Sequence, residues 1–263
     1  MYPAHTLSAA EVTFGAGVSQ NFVLGEADNA VEEAIAARPE AVEPGEVNDY
    51  VRGSVAWSLM TPGLAPWVGG RAGLGYDLEA GVTYTGRAAR IDGRYAFEGD
   101  STALSLGLGL SARLAHPDES TTNTDVPSLN ESGLHGVGVD VPIIVGWRSS
   151  AQVVQAYAGV RGGYESLFGS YLFLLSDPPE AIAEGDVTAD RWFAGGLAGL
   201  LVGVKPFWVG FELDAAYQQG SGAVTGTNIP ENGGEPRPEY DGESGTLQGL
   251  GLTTTGVLIG HFD

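Results

Sequence analysis

Residues 66–97 read PWVGGRAGLGYDLEAGVTYTGRAARIDGRYAF, and apolar side chains occupy nearly every second position of this stretch. The charged residues, such as Arg71 and Glu79, fall on the alternate positions. A period of two predicts a β-strand with one apolar and one polar face. The apolar face of the first part comprises Val68, Ala72, Leu74, Tyr76, Leu78, Ala80, Val82 and Tyr84.

The phase of this alternation changes at Gly86. After that glycine Ile91, Tyr95 and Phe97 carry the apolar face, so we predict a tight turn at Gly86 between two strands. The alternation runs unbroken across residues 76–77, which favours one strand over 66–85. A split there would give eleven strands in the chain instead of ten.

The same pattern recurs along the whole chain and predicts one antiparallel all-β domain, residues 1–263. DNAVEEAIAARPE in the first long connection predicts a helix that Asn29 caps and Pro39 ends. The predicted strands are 10–24, 48–60, 66–85, 88–98, 102–114, 134–148, 152–168, 190–204, 207–221 and 245–262. Long loops, gathered at one end, are predicted at about 25–47, 115–133, 169–189 and 222–244, and most other connections are short turns.

Composition restricts the class of protein. The chain has 41 glycines, no cysteine and a formal net charge of −21. The missing cysteines exclude a disulfide framework and thiolate chemistry. The negative charge argues against nucleic acid as a partner, because phosphate binding needs clusters of basic residues.

The charged residues of the strands share the face opposite the apolar one, where arginines and carboxylates of neighbouring strands can pair. A lipocalin-like barrel or a β-sandwich would expose this charged face, but such surfaces are normally rich in lysine and this chain has one. A membrane barrel places the apolar face against lipid and the polar face in a narrow lumen. We therefore predict an up-and-down transmembrane barrel. Its lumen charges would be Arg52, Arg71, Asp77, Glu79, Arg90, Asp92, Arg94, Arg113, Asp140, Arg148, Arg161, Glu165, Glu212 and Asp214.

The ending GLGLTTTGVLIGHFD resembles the last strand of bacterial outer-membrane β-barrel proteins, with Leu250, Leu252, Leu258 and Phe262 matching the alternation and terminal aromatic. Asp263 departs from that pattern. The resemblance implies a bacterial outer membrane, contact with lipopolysaccharide and insertion by the barrel-assembly machinery. The opening MYPAHTLSAAEVTFG lacks the features of a signal peptide, and we expect one to have been removed.

Three roles are compatible with such a barrel. Paired charges in ten strands favour a filled lumen and a structural or interaction protein whose acidic loops meet a partner. A narrow porin-like diffusion channel is the alternative. A membrane-embedded hydrolase of the omptin or lipid-A-modifying kind is the second alternative, with His135 and Asp140 as the residues to test. No cofactor is expected, apart from Ca²⁺ at carboxylates of the acidic loops, Asp118, Glu119, Asp125, Asp241 and Glu243.

Overall fold

The computed structural model describes residues 3–37, 52–53, 55–56, 59, 63–86, 88–113, 135–174, 181–230 and 240–262. One helix, α1 (Glu26–Ala37), and ten strands are defined. The strands are β1 (Val12–Leu24), β2 (Gly63–Gly75), β3 (Leu78–Tyr84), β4 (Ala88–Glu98), β5 (Thr102–Arg113), β6 (His135–Arg148), β7 (Val154–Leu174), β8 (Ala181–Val204), β9 (Phe207–Pro230) and β10 (Tyr240–Phe262).

The ten strands form a closed barrel. Each strand pairs antiparallel with its neighbour in sequence, and β10 pairs with β1 from Val12↔Phe262 to Leu24↔Leu250. Closure gives each strand a neighbour on both sides, so most main-chain groups in the closed part of the barrel find partners within the sheet. The structure thus confirms the predicted all-β, ten-strand antiparallel barrel.

The predicted single strand 66–85 is wrong, because β2 and β3 are separated by a two-residue turn. Tyr76 and Asp77 both have positive φ, 55° and 59°, as a type I′ hairpin turn requires. The pairing register shifts between Gly73 and Gly75, and this bulge adds one residue to β2. Because of the extra residue, the outward side chains have even residue numbers in both β2 and β3. The alternation of apolar and polar residues therefore continues across the turn without a change of phase.

The predicted strand 48–60 is also wrong, since its described residues are helical. Val55, Ala56 and Leu59 are fully buried, and their spacing of one and four residues is that of a helix face. Val55 and Leu59 also fit a period of two, which explains the strand prediction. Removing the predicted strand 48–60 and dividing the predicted strand 66–85 into β2 and β3 leaves the total number of strands at ten.

The strands of one half of the barrel are longer than predicted. β7, β8, β9 and β10 have 21, 24, 24 and 23 residues, so much of the predicted loops 169–189 and 222–244 is strand. These extensions carry no regular apolar alternation, yet β7, β8 and β9 pair in continuous register, and β10 pairs with β9 with one register shift between Glu243 and Thr246. The helix prediction is confirmed, although α1 begins at Glu26, before Asn29, and Pro39 lies outside the described residues.

The connections define two ends of the barrel. Residues 76–77, 99–101, 149–153 and 205–206 connect strands at one end, called the turn end below. Residues 25–62, 85–87, 114–134, 175–180 and 231–239 separate strands at the opposite end, called the loop end. The predicted turn at Gly86 is present, and Gly86 has a φ of 80°.

The outer surface of the barrel is apolar. Outward side chains such as Val68, Ile91 and Leu108 are more than half exposed. Exposed aromatic residues form two groups along the barrel: Phe14, Phe97, Trp147, Phe207 and Phe262 lie near the turn end, and Phe22, Tyr84, Phe168, Trp192 and Tyr217 lie further towards the loop end, the last two at mid-strand in β8 and β9. An apolar belt with aromatic borders around a closed barrel is the exterior of a protein that spans a lipid bilayer. No helix among the described residues has the length and apolar character to cross a membrane.

Candidate functional site

Charged side chains of β2, β3, β4 and β6 form a continuous chain of ion pairs on the inner face of the barrel. We call these six residues the β2–β6 charge network. Arg90 donates two hydrogen bonds to Asp140, at 2.7 and 2.9 Å, and a third to Asp92. Three positive and three negative charges balance, so the network neutralises itself inside the wall. Its members are Arg71, Glu79, Arg90, Asp92, Arg94 and Asp140.

Glu79 is the most connected carboxylate of this network. Its side chain has no exposed surface, and it accepts hydrogen bonds from Arg71 and Arg94. Asp92 continues the chain by accepting from Arg71 and Arg90. Each buried charge therefore has an opposite charge in direct contact, which is the condition for burying ions in a protein interior.

Glycine at position 109 provides the room for one of these long side chains. Arg90 on β4 reaches across β5 to Asp140 on β6, and its guanidinium lies over Gly109. A Cβ at position 109 would overlap that guanidinium. The alternation of glycine and leucine in β5 thus permits bonds between strands that are not neighbours.

The opposite wall carries a second, looser set of polar side chains, called the β7–β9 charge group below. Arg161 lies 3.2 Å from Asp214, and Tyr157 donates a 2.8 Å hydrogen bond to Glu212. Arg191 pairs with Glu165 and donates to Gln218. The guanidinium carbons of Arg161 and Arg191 lie 5.3 and 5.8 Å from the ring centroid of Phe193, within cation–π range.

A cavity of about 330 Å³ separates the two walls. It is lined by members of the β7–β9 charge group and by hydroxyl groups of β1 and β10, such as Ser19 and Thr255. Arg90 and Arg113 reach it from the other side. The lumen is therefore polar at this level and contains space of molecular size.

Residues 3–11, called the entry segment below, lie within the lumen at the turn end. Ala4 is buried in an apolar cluster of inward side chains that includes Tyr157, Leu201 and Trp208. Gly73 lies directly beneath the segment, because a Cβ there would overlap the carbonyl oxygen of Ser8. The segment joins the barrel wall through hydrogen bonds of Ala10 and Glu11 with the main chain of Gly73.

Two titratable groups of the entry segment have shifted pKa values. Partial burial raises the pKa of Glu11, but hydrogen bonds from Lys205 and Ser8 outweigh burial and lower it to about 2. Burial lowers the pKa of His5, with a further lowering from Arg148. Glu98 acts on His5 in the opposite direction. The native segment therefore favours an ionised Glu11 and a neutral His5.

Helical residues close the loop end. Leu59 and Val55 pack over Gly220 and Gly222 of β9, on the inner face of the long strands. Ala27 and Ala30 of α1 are also buried. Leu59 lines the 330 Å³ cavity, so this helical residue forms part of its boundary.

Two of the predicted lumen charges do not lie on strands. Asp77 belongs to the exposed β2–β3 turn, where it lines a cavity of about 510 Å³ at the turn end without joining either charge group. Arg52 is helical and pairs with Glu26 of α1, since the predicted strand around it does not form. Arg113 lines the cavity, and Arg148 lies 3.5 Å from Glu98 at the turn end. The other ten predicted residues belong to the two charge groups just described.

The residues proposed for catalysis and for Ca²⁺ do not come together. His135 is exposed on the outer face of β6 beside Phe168, whereas Asp140 faces inward. Asp241 and Glu243 belong to β10 rather than to a loop, and Asp118, Glu119 and Asp125 lie outside the described residues. Within the part of the chain that the structure describes, no three acidic or histidine side chains are arranged to hold a metal ion.

Sequence reasoning missed Arg191 and the entry segment. Arg191 begins a stretch of β8 whose inward residues Phe193, Leu197 and Leu201 are apolar, so neither face of that strand was recognisable as polar. The entry segment has no periodic pattern that would place it inside a barrel. The Leu197 and Leu201 side chains supply the apolar surface on which Ala4 packs.

Comparisons with known proteins give only weak likenesses. No protein-family model and no curated protein matches the chain. The RagAB peptide importer in its open-open state is 11% identical, with a TM-score of 0.26 over 91% of this chain and 39% of that one. The CymD monoaromatic hydrocarbon channel is 9% identical, with a TM-score of 0.27 over 97% of this chain and 89% of that one. The chain therefore spans well under half the length of the RagAB chain, and none of these scores identifies a relative.

Proposed function

We propose that the protein is an integral β-barrel of a bacterial outer membrane whose lumen is closed and whose loop end meets a partner or the environment. The observation that carries this proposal is the occupation of the lumen at successive levels. The entry segment fills the turn end, the β2–β6 charge network covers one wall, and buried helical residues lie at the loop end. Such a barrel acts as an anchor rather than as a pore.

The apolar belt supports contact with the bilayer, and we propose lipopolysaccharide as part of its lipid environment. Insertion by the barrel-assembly machinery and prior removal of a signal peptide belong to the same proposal. The acidic residues of the loop end favour a protein partner or a solvated surface, and we propose no cofactor. We propose a non-enzymatic role, and the positions of His135 and Asp140 on opposite faces of β6 argue against this one pair as hydrolase residues.

A narrow diffusion channel is the second candidate, and one observation favours it. Cavities of about 330 and 510 Å³ lie inside the barrel, and Trp67 and Thr83 line both. Two polar cavities with shared walls would become a path if the residues that close the ends moved away.

Single-channel recording in planar bilayers tests the proposal. We expect the purified protein to give no discrete conductance steps, because paired side chains and the entry segment occupy the lumen. Discrete steps whose size changes when Arg71 or Arg94 is reversed to glutamate would contradict a closed lumen and support the channel. Asp100→Arg, at the exposed β4–β5 turn, is the charge reversal at a residue that lines neither cavity, and it should leave such steps unchanged.

A further inference from the structure

The entry segment is held mainly by hydrogen bonds to its main chain. Glu98 accepts from the main-chain N–H of Thr6 at 2.7 Å, and Glu79 accepts from that of Leu7 at 2.9 Å. Arg94 donates to the carbonyl oxygens of Pro3 and His5, the latter at 3.0 Å. Side chains add further contacts to this set: the Thr6 hydroxyl bond to Glu98 at 3.0 Å, the contact of His5 with Glu98 at 3.6 Å, and the Lys205 bond to Glu11 at 2.8 Å.

The groups that make these bonds are part of the barrel wall. Glu79 and Arg94 are almost completely buried, and they are fixed by their bonds to each other and to Arg71. Their positions are thus set by the β2–β6 charge network rather than by the segment. A carboxylate for N–H groups and a guanidinium for carbonyl groups are complementary to the main chain of a peptide.

One side-chain position adds selectivity for small residues. Ala4 is 1% exposed, and a Cβ on Gly146 would lie only 2.6 Å from its methyl group. Tyr157 and Trp208 complete the surrounding apolar cluster. A side chain larger than alanine would therefore collide with the wall at this position.

Space remains beside the segment. The cavity of about 510 Å³ at the turn end is lined by residues of the segment and by Glu79, Arg94 and Glu98 themselves. Of the residues that bind the main chain, Glu98 is 21% exposed beside the segment, whereas Glu79 and Arg94 are almost completely buried.

We propose that Glu79, Arg94 and Glu98 form a binding site for the main chain of a short peptide with a small residue, and that residues 3–8 occupy it as an intramolecular ligand. The site recognises two consecutive N–H groups and two carbonyl groups. Its occupancy controls access to the lumen from the turn end. This assignment does not depend on whether the barrel conducts ions.

Proline substitutions in the segment test the main-chain bonds directly. Thr6→Pro with Leu7→Pro removes both N–H donors, whereas Thr6→Ala with Leu7→Ala keeps them and serves as the matched control. The chain has no cysteine, so Thr83→Cys introduces a single thiol on the wall shared by the two cavities. The readout is the rate at which a charged methanethiosulfonate labels this thiol in folded barrels, identified by heat-modifiable gel migration.

We expect the proline pair to raise the labelling rate by about tenfold or more, from the loss of two hydrogen bonds to charged groups. The alanine pair should stay within about threefold of the parent. An unchanged rate in the proline pair, or equal increases in both pairs, would overturn the proposal.

A synthetic peptide extends the test to binding from solution. The nonapeptide PAHTLSAAE, which reproduces residues 3–11, should slow labelling of the proline variant. The same peptide N-methylated at its threonine and leucine should not, because it lacks both N–H groups. Equal protection by the two peptides, or protection by neither, would contradict recognition through the main chain.

Discussion

The two walls of the lumen hold similar charges in different ways. In the β2–β6 charge network the side chains are at most 12% exposed and are connected in one continuous chain. In the β7–β9 charge group the charged side chains face the 330 Å³ cavity, and Arg161 is 28% exposed. The strands differ too, with 7 to 14 residues in β2 to β6 and 21 to 24 in β7 to β10.

This difference indicates a division of roles. The short-strand wall is locked by mutual burial of its charges, so losing one partner leaves another charge buried without compensation. The long-strand wall is partly hydrated, where an ion pair contributes little to stability. The first wall therefore sets the shape of the barrel, and the second leaves space within it.

The largest expected effect comes from neutralising equivalent glutamates in the two walls. Glu79→Gln leaves Arg71 and Arg94 with less compensation and should lower the free energy of unfolding by about 3–5 kcal/mol. Glu165→Gln is the matched change in the other wall, where the side chain is 13% exposed and lines the cavity, and it should cost about 1–2 kcal/mol. Urea unfolding in lipid vesicles, followed by tryptophan fluorescence, measures both values. Equal losses would remove the distinction between the walls.

A smaller effect is expected from adding a methyl group beneath the network. Gly109→Ala would overlap the Arg90 guanidinium, which three hydrogen bonds hold in place, and should cost about 1–3 kcal/mol. Gly93→Ala is the control, because the nearest atom to its Cβ is 4.0 Å away, and it should be neutral or stabilise by up to about 1 kcal/mol. If both variants have the same free energy of unfolding as the parent, the Arg90 guanidinium is not held in place over Gly109 of β5.

The smallest effect concerns the ion pair between Glu11 and Lys205 at the rim. The native pKa of Glu11 is about 2, below its ordinary value of 4.5, so the native state binds this proton more weakly than the unfolded chain. The stabilisation is complete above pH 4.5 and is lost as the pH falls towards 2. Unfolding of the parent and of Glu11→Gln across this range measures it. A stability difference that does not shrink on acidification would contradict the pairing.

The strand periodicity predicted the barrel and most of its inward charges, but it could not determine where each strand ends. The bulge beside Gly73 hid the β2–β3 turn, because it kept outward residues on even numbers. Val55 and Leu59 satisfy both a strand and a helix pattern, and only the surrounding barrel decides between them. Alternation therefore identifies which residues share a face of the sheet more reliably than it identifies where a strand ends or whether a segment is a strand or a helix.

The parts of the site that the sequence could not predict depend on contacts between distant residues. Arg191 lies on a strand with two apolar faces, and its role requires Glu165 and Gln218 from the neighbouring strands. The entry segment is placed by Glu79, Arg94 and Glu98, which are more than seventy positions away in sequence. No pattern within a short stretch of sequence indicates these contacts.

The central claim is that the apolar face meets lipid and the charged face closes the lumen. Nitroxide labels at successive positions of β5, from 103 to 110, test it most directly in lipid vesicles. We predict oxygen accessibility that alternates with a period of two, highest at Leu104, Leu106, Leu108 and Leu110 and low at the positions between them. Highest oxygen accessibility at residues 103, 105, 107 and 109 instead, or a protein that stays monodisperse without detergent, would contradict contact between the apolar face and lipid.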